Sequence, residues 1–342
     1  MPKTIKNMFN KRLNYIAFYN AHTRASSNKK SRSDVIKYEI DLETNLMNLY
    51  NSIKNGKYHV GKYHQFTIYE PKKRIIQSLP YKDRIVHQWY VGEFILPYIV
   101  PKFIKDTYAC IKNRGTHKAV KQLQHYMKIM QRNNGTYYIL KCDIKKYFYS
   151  IDKDILYTIM KKHITDKKLL AFTKLLIYDS DVNTGIPIGN YTSQFFANIY
   201  LNELDHYVKE HLKVKYYIRY MDDFILLIKT KDDARRMKVL IENYISTKLN
   251  LTLNQKSKYY PNKLGVDFCG YHIFETHCLI RKRSKRKIRS IIRKANFDYR
   301  QNKLNKKKLE MKYNSWKAHA SHANTYNLIK KYNSLFELEK IK

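Results

Sequence analysis

The sequence predicts an α+β fold with a mostly antiparallel sheet, and three observations lead there. Two apolar runs rich in Tyr, Ile and Leu, residues 216–218 and 224–228, flank Tyr220-Met221-Asp222-Asp223, which reads as a β-hairpin with two acids at its tip. A second apolar strand, residues 137–143, also ends in an acid, Asp143. Stretches of helical periodicity lie around these strands, and helices interleaved with a hairpin sheet make an α+β arrangement.

Residues 21–34 are polar and basic and read as a loop or mobile arm leading into a helix over 35–52. Alternation in Phe66-Thr67-Ile68-Tyr69-Glu70 and the apolar pair of Arg74-Ile75-Ile76 predict two strands joined by the basic turn Pro71-Lys72-Lys73. Helices are expected over 83–98 and 117–131, and again over 153–163 and 166–178 after the strand that ends at Asp143. A Gly/Pro-punctuated loop at 185–189 then leads into a long helix over 192–211. Beyond the hairpin come a helix over 231–249, short strands at 251–254 and 268–274, and a helical, very basic tail from Arg281.

A chain of 342 residues can bury a large core as one multi-lobed unit or two to three subdomains. Its 67 Lys and Arg against 28 acids give a formal charge of +39, which opposes compaction unless polyanions or counterions screen it. Nucleic acid is the expected partner, because the basic residues run through segments that also carry core-forming Ile, Leu and Tyr instead of collecting in tails. The 32 Tyr and 14 Phe offer surface for stacking on bases, although much of it must be core. Cys110, Cys142, Cys269 and Cys278 are too widely spaced for structural zinc or a disulfide framework. Residues 1–20 hold no uninterrupted apolar stretch of signal-peptide type, and the most apolar window, residues 94–100, is too short to span a bilayer. A soluble protein of a reducing compartment is expected.

Two adjacent ionised aspartates repel one another, and a divalent cation beside them is the simplest resolution. Hard oxygen ligands suit Mg²⁺, which takes one or two carboxylates, waters and substrate phosphates. Asp143 supplies a third carboxylate from a neighbouring strand, enough for two ions roughly 4 Å apart, the arrangement of phosphoryl-transfer sites. An acid at the end of a strand also caps helices, and it is the combination with the hairpin pair that favours the metal.

The order of several segments carries a family resemblance. Asp143 with Phe148, Gly189-Asn190-Tyr191-Thr192-Ser193-Gln194, Tyr220-Met221-Asp222-Asp223, Leu253-Asn254-Gln255-Lys256-Ser257 and Phe268-Cys269-Gly270-Tyr271 resemble, in sequence, the motifs of reverse transcriptases. The likeness runs from about residue 72 to 271, with more in the tail, and implies a right-hand polymerase fold. It assigns residues 1–40 to a basic arm, 41–140 to fingers, 141–275 to a palm with a helical insertion near 153–184, and 276–342 to a helical thumb.

By that resemblance Asp143, Asp222 and Asp223, with the backbone carbonyl of Ile144, hold two Mg²⁺ ions, Mn²⁺ being a substitute. Phe148 looks like the steric gate against a ribose 2′-hydroxyl, or else an ordinary core aromatic. Lys73, Arg74 and Arg114 look like triphosphate contacts, since fixed cations neutralise phosphate charge. Lys256 resembles the lysine that protonates leaving pyrophosphate. Phe268, Gly270 and Tyr271 resemble the primer grip, and Gln194 a template contact. Most reverse transcriptases carry Gln just before the Gly of the second motif, where this chain has Ile188 before Gly189, with Gln194 in place of the usual Pro. The form Ile186-Pro187-Ile188-Gly189-Asn190, together with the tail segment Trp316-Lys317-Ala318-His319-Ala320-Ser321-His322-Ala323-Asn324, is similar to the enzymes of diversity-generating retroelements, relatives of group II intron and retron enzymes.

That resemblance implies copying of an RNA template from a DNA or RNA primer with dNTPs, an RNA–DNA hybrid product, errors at adenines and a small basic accessory protein. A cytoplasmic protein encoded by a bacterium or phage is expected, with no membrane partner. From Arg281 to Lys308 the tail holds 14 Lys or Arg in 28 residues, suited to lying along a duplex backbone. The competing readings are a defence-associated (antiviral) or retron-like reverse transcriptase and a non-catalytic RNA-binding scaffold. Group II intron enzymes fit less well, because little sequence follows the thumb to supply an endonuclease domain.

Overall fold

The computed structural model describes residues 4–69, 73–179, 182–303 and 305–335. Helices alternate with antiparallel strand pairs, the α+β arrangement the sequence predicts. Two compact units divide the chain, one of Met1–Ile111, Asp143–Lys215 and Val239–Lys256, the other of Lys112–Cys142, Tyr216–Lys238 and Ser257–Lys342.

In the first unit, the helix Tyr15–Ser26 takes in part of the expected mobile arm, and the arm reading is corrected there. Its small apolar residues explain why: Ala17, Phe18, Ala21 and Ala25 form one buried stripe, and Asn14 caps the start by accepting from the Ala17 amide at 2.9 Å. The single helix expected over 35–52 is two, Ser33–Ile40 and Leu42–Lys54, broken at Asp41, whose φ of −118° and ψ of 52° are not helical. Strands β1, His64–Ile68, and β2, Arg74–Ser78, pair as expected with Phe66 opposite Ile76. Of the turn predicted between them, only Lys73 lies among the described residues.

The helix Tyr81–Tyr90 continues through a π turn, Val91–Ile95, to Leu96–Tyr98. Its Trp89 is fully buried at the centre of an aromatic cluster, with Phe18, Phe94, Phe172 and Phe9 ring centroids at 4.9, 5.3, 5.5 and 5.8 Å. Asp166 caps the helix Lys167–Ile177 and also accepts from the Met8 and Phe9 amides at 2.7 and 2.9 Å, which fastens the N-terminal segment to this core. The helix Lys153–His163 stands where it is expected, and Tyr191–His206 continues through a π turn to His211.

The second unit is built on a four-stranded sheet. The helix Thr116–Asn134 leads to β3, Tyr138–Asp143; the hairpin follows as β4, Tyr217–Tyr220, and β5, Asp223–Ile228; β6 is Lys258–Pro261. The strand order is β4-β5-β3-β6. A strand was expected at 251–254, but Leu253 makes only an isolated bridge to Ile144, and the ladder partner of β3 is the later β6. Tyr259 and Tyr260, better strand formers than Asn250 and Asn254, pair opposite Leu140 and Ile139.

The single strand expected at 268–274 is likewise two, β7, Val266–Phe268, and β8, Tyr271–Ile273. Cys269 and Gly270 adopt φ of 47° and 92°, the left-handed pair that closes a two-residue hairpin. A third strand, β9, Cys278–Ile280, completes this small sheet. The helices Lys282–Arg300, Lys306–Ala320 and Tyr326–Asn333 follow, as the basic tail suggested. All four cysteines are free thiols.

Candidate active site

The acidic tip is held by its own hairpin. Tyr220 pairs with Asp223, which leaves Met221 and Asp222 as a two-residue turn with Met221 at φ 57°. A left-handed, non-glycine residue costs about 1–2 kcal/mol and needs support. Arg219 provides some of it: the fully buried guanidinium donates Nη1 to the Met221 carbonyl at 2.9 Å. Asp222 thus sits at the apex and Asp223 opens β5, the sheet neighbour of β3, which ends at Asp143. Lys141 of β3 places Nζ 3.1 Å from Asp223 Oδ2 and also donates to the Asp267 carbonyl. One residue separates Lys141 from Asp143, so the two share a face of the strand.

Asp143 has its own support within the first unit. The Asn254 amide donates to the Asp143 carbonyl at 2.7 Å, and Asn254 Nδ2 donates to the carboxylate Oδ2 at 3.0 Å. Next to it Ile144 is buried and bridges Leu253, while Lys145 donates its amide to Thr252. Asn254 Oδ1 accepts from the Lys256 amide at 3.1 Å; the Lys256 side chain is exposed.

Five predicted nucleotide-site residues share the first unit. The Phe148 carbonyl accepts from Ile186 at 2.8 Å, and the Ile188 carbonyl accepts from Gln77 of β2 at 2.9 Å. Residues 186–188 therefore span from Phe148 to the strand that Arg74 opens. Gly189, at φ 137°, tolerates no side chain here: a Cβ would stand 2.5 Å from the Gln77 carbonyl oxygen. Ile188 and Phe148 are half-buried, while Lys73, Arg74 and Gln194 are exposed.

His87 Nδ1 lies 2.7 Å from the Thr192 hydroxyl at the start of the following helix, and burial pushes the His87 pKa down to about 4. The unfolded chain takes that proton near 6.5, so this contribution to stability is complete above pH 6.5 and is lost as pH falls towards 4. Denaturation midpoints measured from pH 7.5 to 5 should fall, and His87→Asn should flatten part of the fall; identical slopes for the two proteins contradict this.

In the second unit, Phe268 and Tyr271 are buried, so the turn between them presents Cys269 and Gly270. The Tyr271 hydroxyl donates to the His319 carbonyl at 2.8 Å, and Asn324 exchanges bonds of 2.8 and 2.9 Å with the Cys278 backbone. The tail segment singled out in the sequence thus fastens onto the small sheet. Arg114, half-buried, precedes the helix Thr116–Asn134. The helix Lys282–Arg300 buries Ile288, Ile292 and Ala295, leaving a basic face outward.

The family model described as reverse transcriptase (RNA-dependent DNA polymerase) matches residues 56–273, more than half of the chain. The chain belongs to the reverse transcriptase family. Among solved structures, this reverse transcriptase is similar to apo telomerase from Candida tropicalis truncated from its C-terminal domain, at 13% identity and a TM-score of 0.46, covering 67% of this chain and 57% of that one. It is also similar to telomerase from Candida albicans in complex with a fragment of telomeric RNA, at 11% identity and a TM-score of 0.47, covering 72% and 52%. The reverse transcriptase thus spans about half the length of these structures. No curated protein matches.

The donor chemistry of this reverse transcriptase suits a hard divalent cation, with adjacent carboxylates on a braced hairpin. Such a cation takes only one or two protein carboxylates when phosphates complete its shell. Among the described residues, no three His, Cys, Asp or Glu side chains are grouped to hold a metal by themselves. Sequence reasoning missed Asn254, Arg219 and Lys141 as the groups that brace the acids. For Lys141 the signal was its two-residue spacing from Asp143; for Asn254, its place in a quoted motif. No helix among the described residues is long and apolar enough to cross a membrane.

Proposed function

We propose that this reverse transcriptase is an RNA-directed DNA polymerase of a diversity-generating retroelement, copying an RNA template into cDNA with errors at adenines. The observation that carries polymerisation is the pair Asp222-Asp223 at the apex of a braced hairpin, inside the span that matches the family. Asp143, Asp222 and Asp223, with the Ile144 carbonyl, are the residues that would hold Mg²⁺ or Mn²⁺. When bound there, the metal supplies positive charge that makes a primer hydroxyl nucleophilic and offsets charge on departing pyrophosphate.

The chain's own groups do the rest. Lys73, Arg74 and Arg114 neutralise the triphosphate, Lys256 gives a proton to the pyrophosphate, and the ring of Phe148 excludes a 2′-hydroxyl. The turn between Phe268 and Tyr271 holds the primer end, Gln194 contacts the template, and the basic helices from Lys282 follow the hybrid backbone. Residues 41–140 act as fingers, 141–275 as palm and 276–342 as thumb, with residues 1–40 as the N-terminal arm. A small basic accessory protein assists, in the cytoplasm of a bacterial host.

Low fidelity follows from Ile188. Where most of the family places Gln, an apolar side chain removes hydrogen bonds near the nascent pair, so geometry is checked less strictly. Copying is tested by incubating the chain with RNA, an annealed primer and dNTPs. Fidelity is tested by sequencing cDNA from wild type and Ile188→Gln: misincorporation opposite adenine should fall about 2- to 10-fold, the worth of one hydrogen bond. An unchanged rate would sink the link to Ile188.

A further inference from the structure

We infer that Tyr63 is a positioning residue for nucleotide selection, its hydroxyl tying the Asn190 side chain to the buried ion pair of Asp179 and Lys153. This rests on the reading above, in which Ile188 lies near the nascent pair.

Tyr63 lies just before β1. Its hydroxyl accepts from Asn190 Nδ2 at 2.7 Å and donates to Asp179 Oδ2. A hydroxyl has one proton, and because the amide of Asn190 can only donate through Nδ2, that proton goes to the carboxylate; the direction of the chain of bonds is fixed. Asp179 Oδ1 stands 3.5 Å from Lys153 Nζ, the two side chains being 2% and 0% exposed. Burial pushes the Asp179 carboxyl up, and the Tyr63 hydrogen bond and the Lys153 charge pull it back.

Lys153 also donates its backbone amide to the Asn183 carbonyl at 3.0 Å, near the other end of the same loop. Loop residues 183 and 190 therefore lead to one buried ion pair. Between them, Ile186 is pinned to Phe148 and Ile188 to Gln77. Asn190 is 5% exposed and next to Gly189, so a loosened Asn190 moves the part of the loop that has no side chain to brace it. A buried polar network of this kind is rigid only when every bond is made.

The test is single-nucleotide incorporation by the full chain on an RNA template with an annealed DNA primer, over a range of dNTP concentrations. Tyr63→Phe keeps the ring and removes the hydroxyl. It should raise the dNTP KM about tenfold, the worth of one hydrogen bond to a charged group, and leave kcat and the affinity for template-primer within about twofold. Asn190→Ala should give the same KM shift, and the double variant no further shift, because both break one chain of bonds. A purely structural role would instead lower the melting temperature and the amount of active protein without moving KM. Should Tyr63→Phe fail to fold, Asn190→Ala alone carries the KM comparison. An active wild type whose KM is unchanged in Tyr63→Phe or Asn190→Ala, or shifts that add in the double variant, overturns the inference alone. A wild type that incorporates nothing overturns the reading beneath it as well.

Discussion

Phe148→Ala should admit ribonucleotides, lowering discrimination between dNTP and rNTP by roughly 10- to 200-fold, the range a packed pocket obtains from shape alone. The backbone around Phe148 is fixed on both sides. Lys146 turns the chain at φ 47° into the short helix Tyr147–Ser150, and the Phe148 carbonyl is held by Ile186. Tyr147 is buried with its hydroxyl on the Ala197 carbonyl, and Tyr149 is half exposed, so successive rings point about 100° apart around the helix. Phe148, between them, is half-buried and lies 5.8 Å from the Tyr147 ring at 70°. Removing it deletes a steric wall without unseating Tyr147, so dNTP use should change far less than rNTP use. The ratio of kcat/KM for matched dNTP and rNTP measures this, and an unchanged ratio would make Phe148 a core aromatic only.

Asp222→Asn should reduce incorporation by about 10³-fold, several kcal/mol of transition-state charge stabilisation, while the fold survives. Adjacent like charges repel, and removing one relieves that repulsion. Asp223 does pair with Lys141, but with both side chains about a quarter exposed the pair contributes at most about 1 kcal/mol. Arg219 braces the turn through the Met221 carbonyl, a bond that Asn at position 222 leaves in place. Melting temperature should therefore stay near that of the wild type as activity disappears, the reverse of what a structural hairpin would give.

The acidic hairpin was legible because two aspartates between β-prone runs have few other uses, and the pairing of β4 with β5 agrees with it. The helices over 153–163 and 231–249 were legible from periodicity alone. The helix Tyr15–Ser26 was not, because its buried stripe is made of alanines and one Phe amid polar residues, a pattern that resembles an arm until a partner covers it. The break at Asp41 and the shift from 251–254 to β6 depend on which residues find a ladder or a cap in three dimensions, and local propensity does not encode that. The acids of the candidate site were visible as chemistry; their supports were not. Arg219 sits in a strand where a charged residue suggests a solvent-facing position, yet it is fully buried on a backbone carbonyl. Asn254 sits in a segment expected to be a strand, yet it serves Asp143 with both its amide and its side chain.

The central claim, that this reverse transcriptase polymerises DNA on RNA through its hairpin aspartates, is tested most directly by primer extension on an RNA template with dNTPs and Mg²⁺. Wild type and the double variant Asp222→Ala, Asp223→Ala should be compared at equal concentrations of folded protein. The wild type should extend the primer along the template and the variant should leave it unextended. Equal extension by both proteins, or none by the wild type, would contradict the claim.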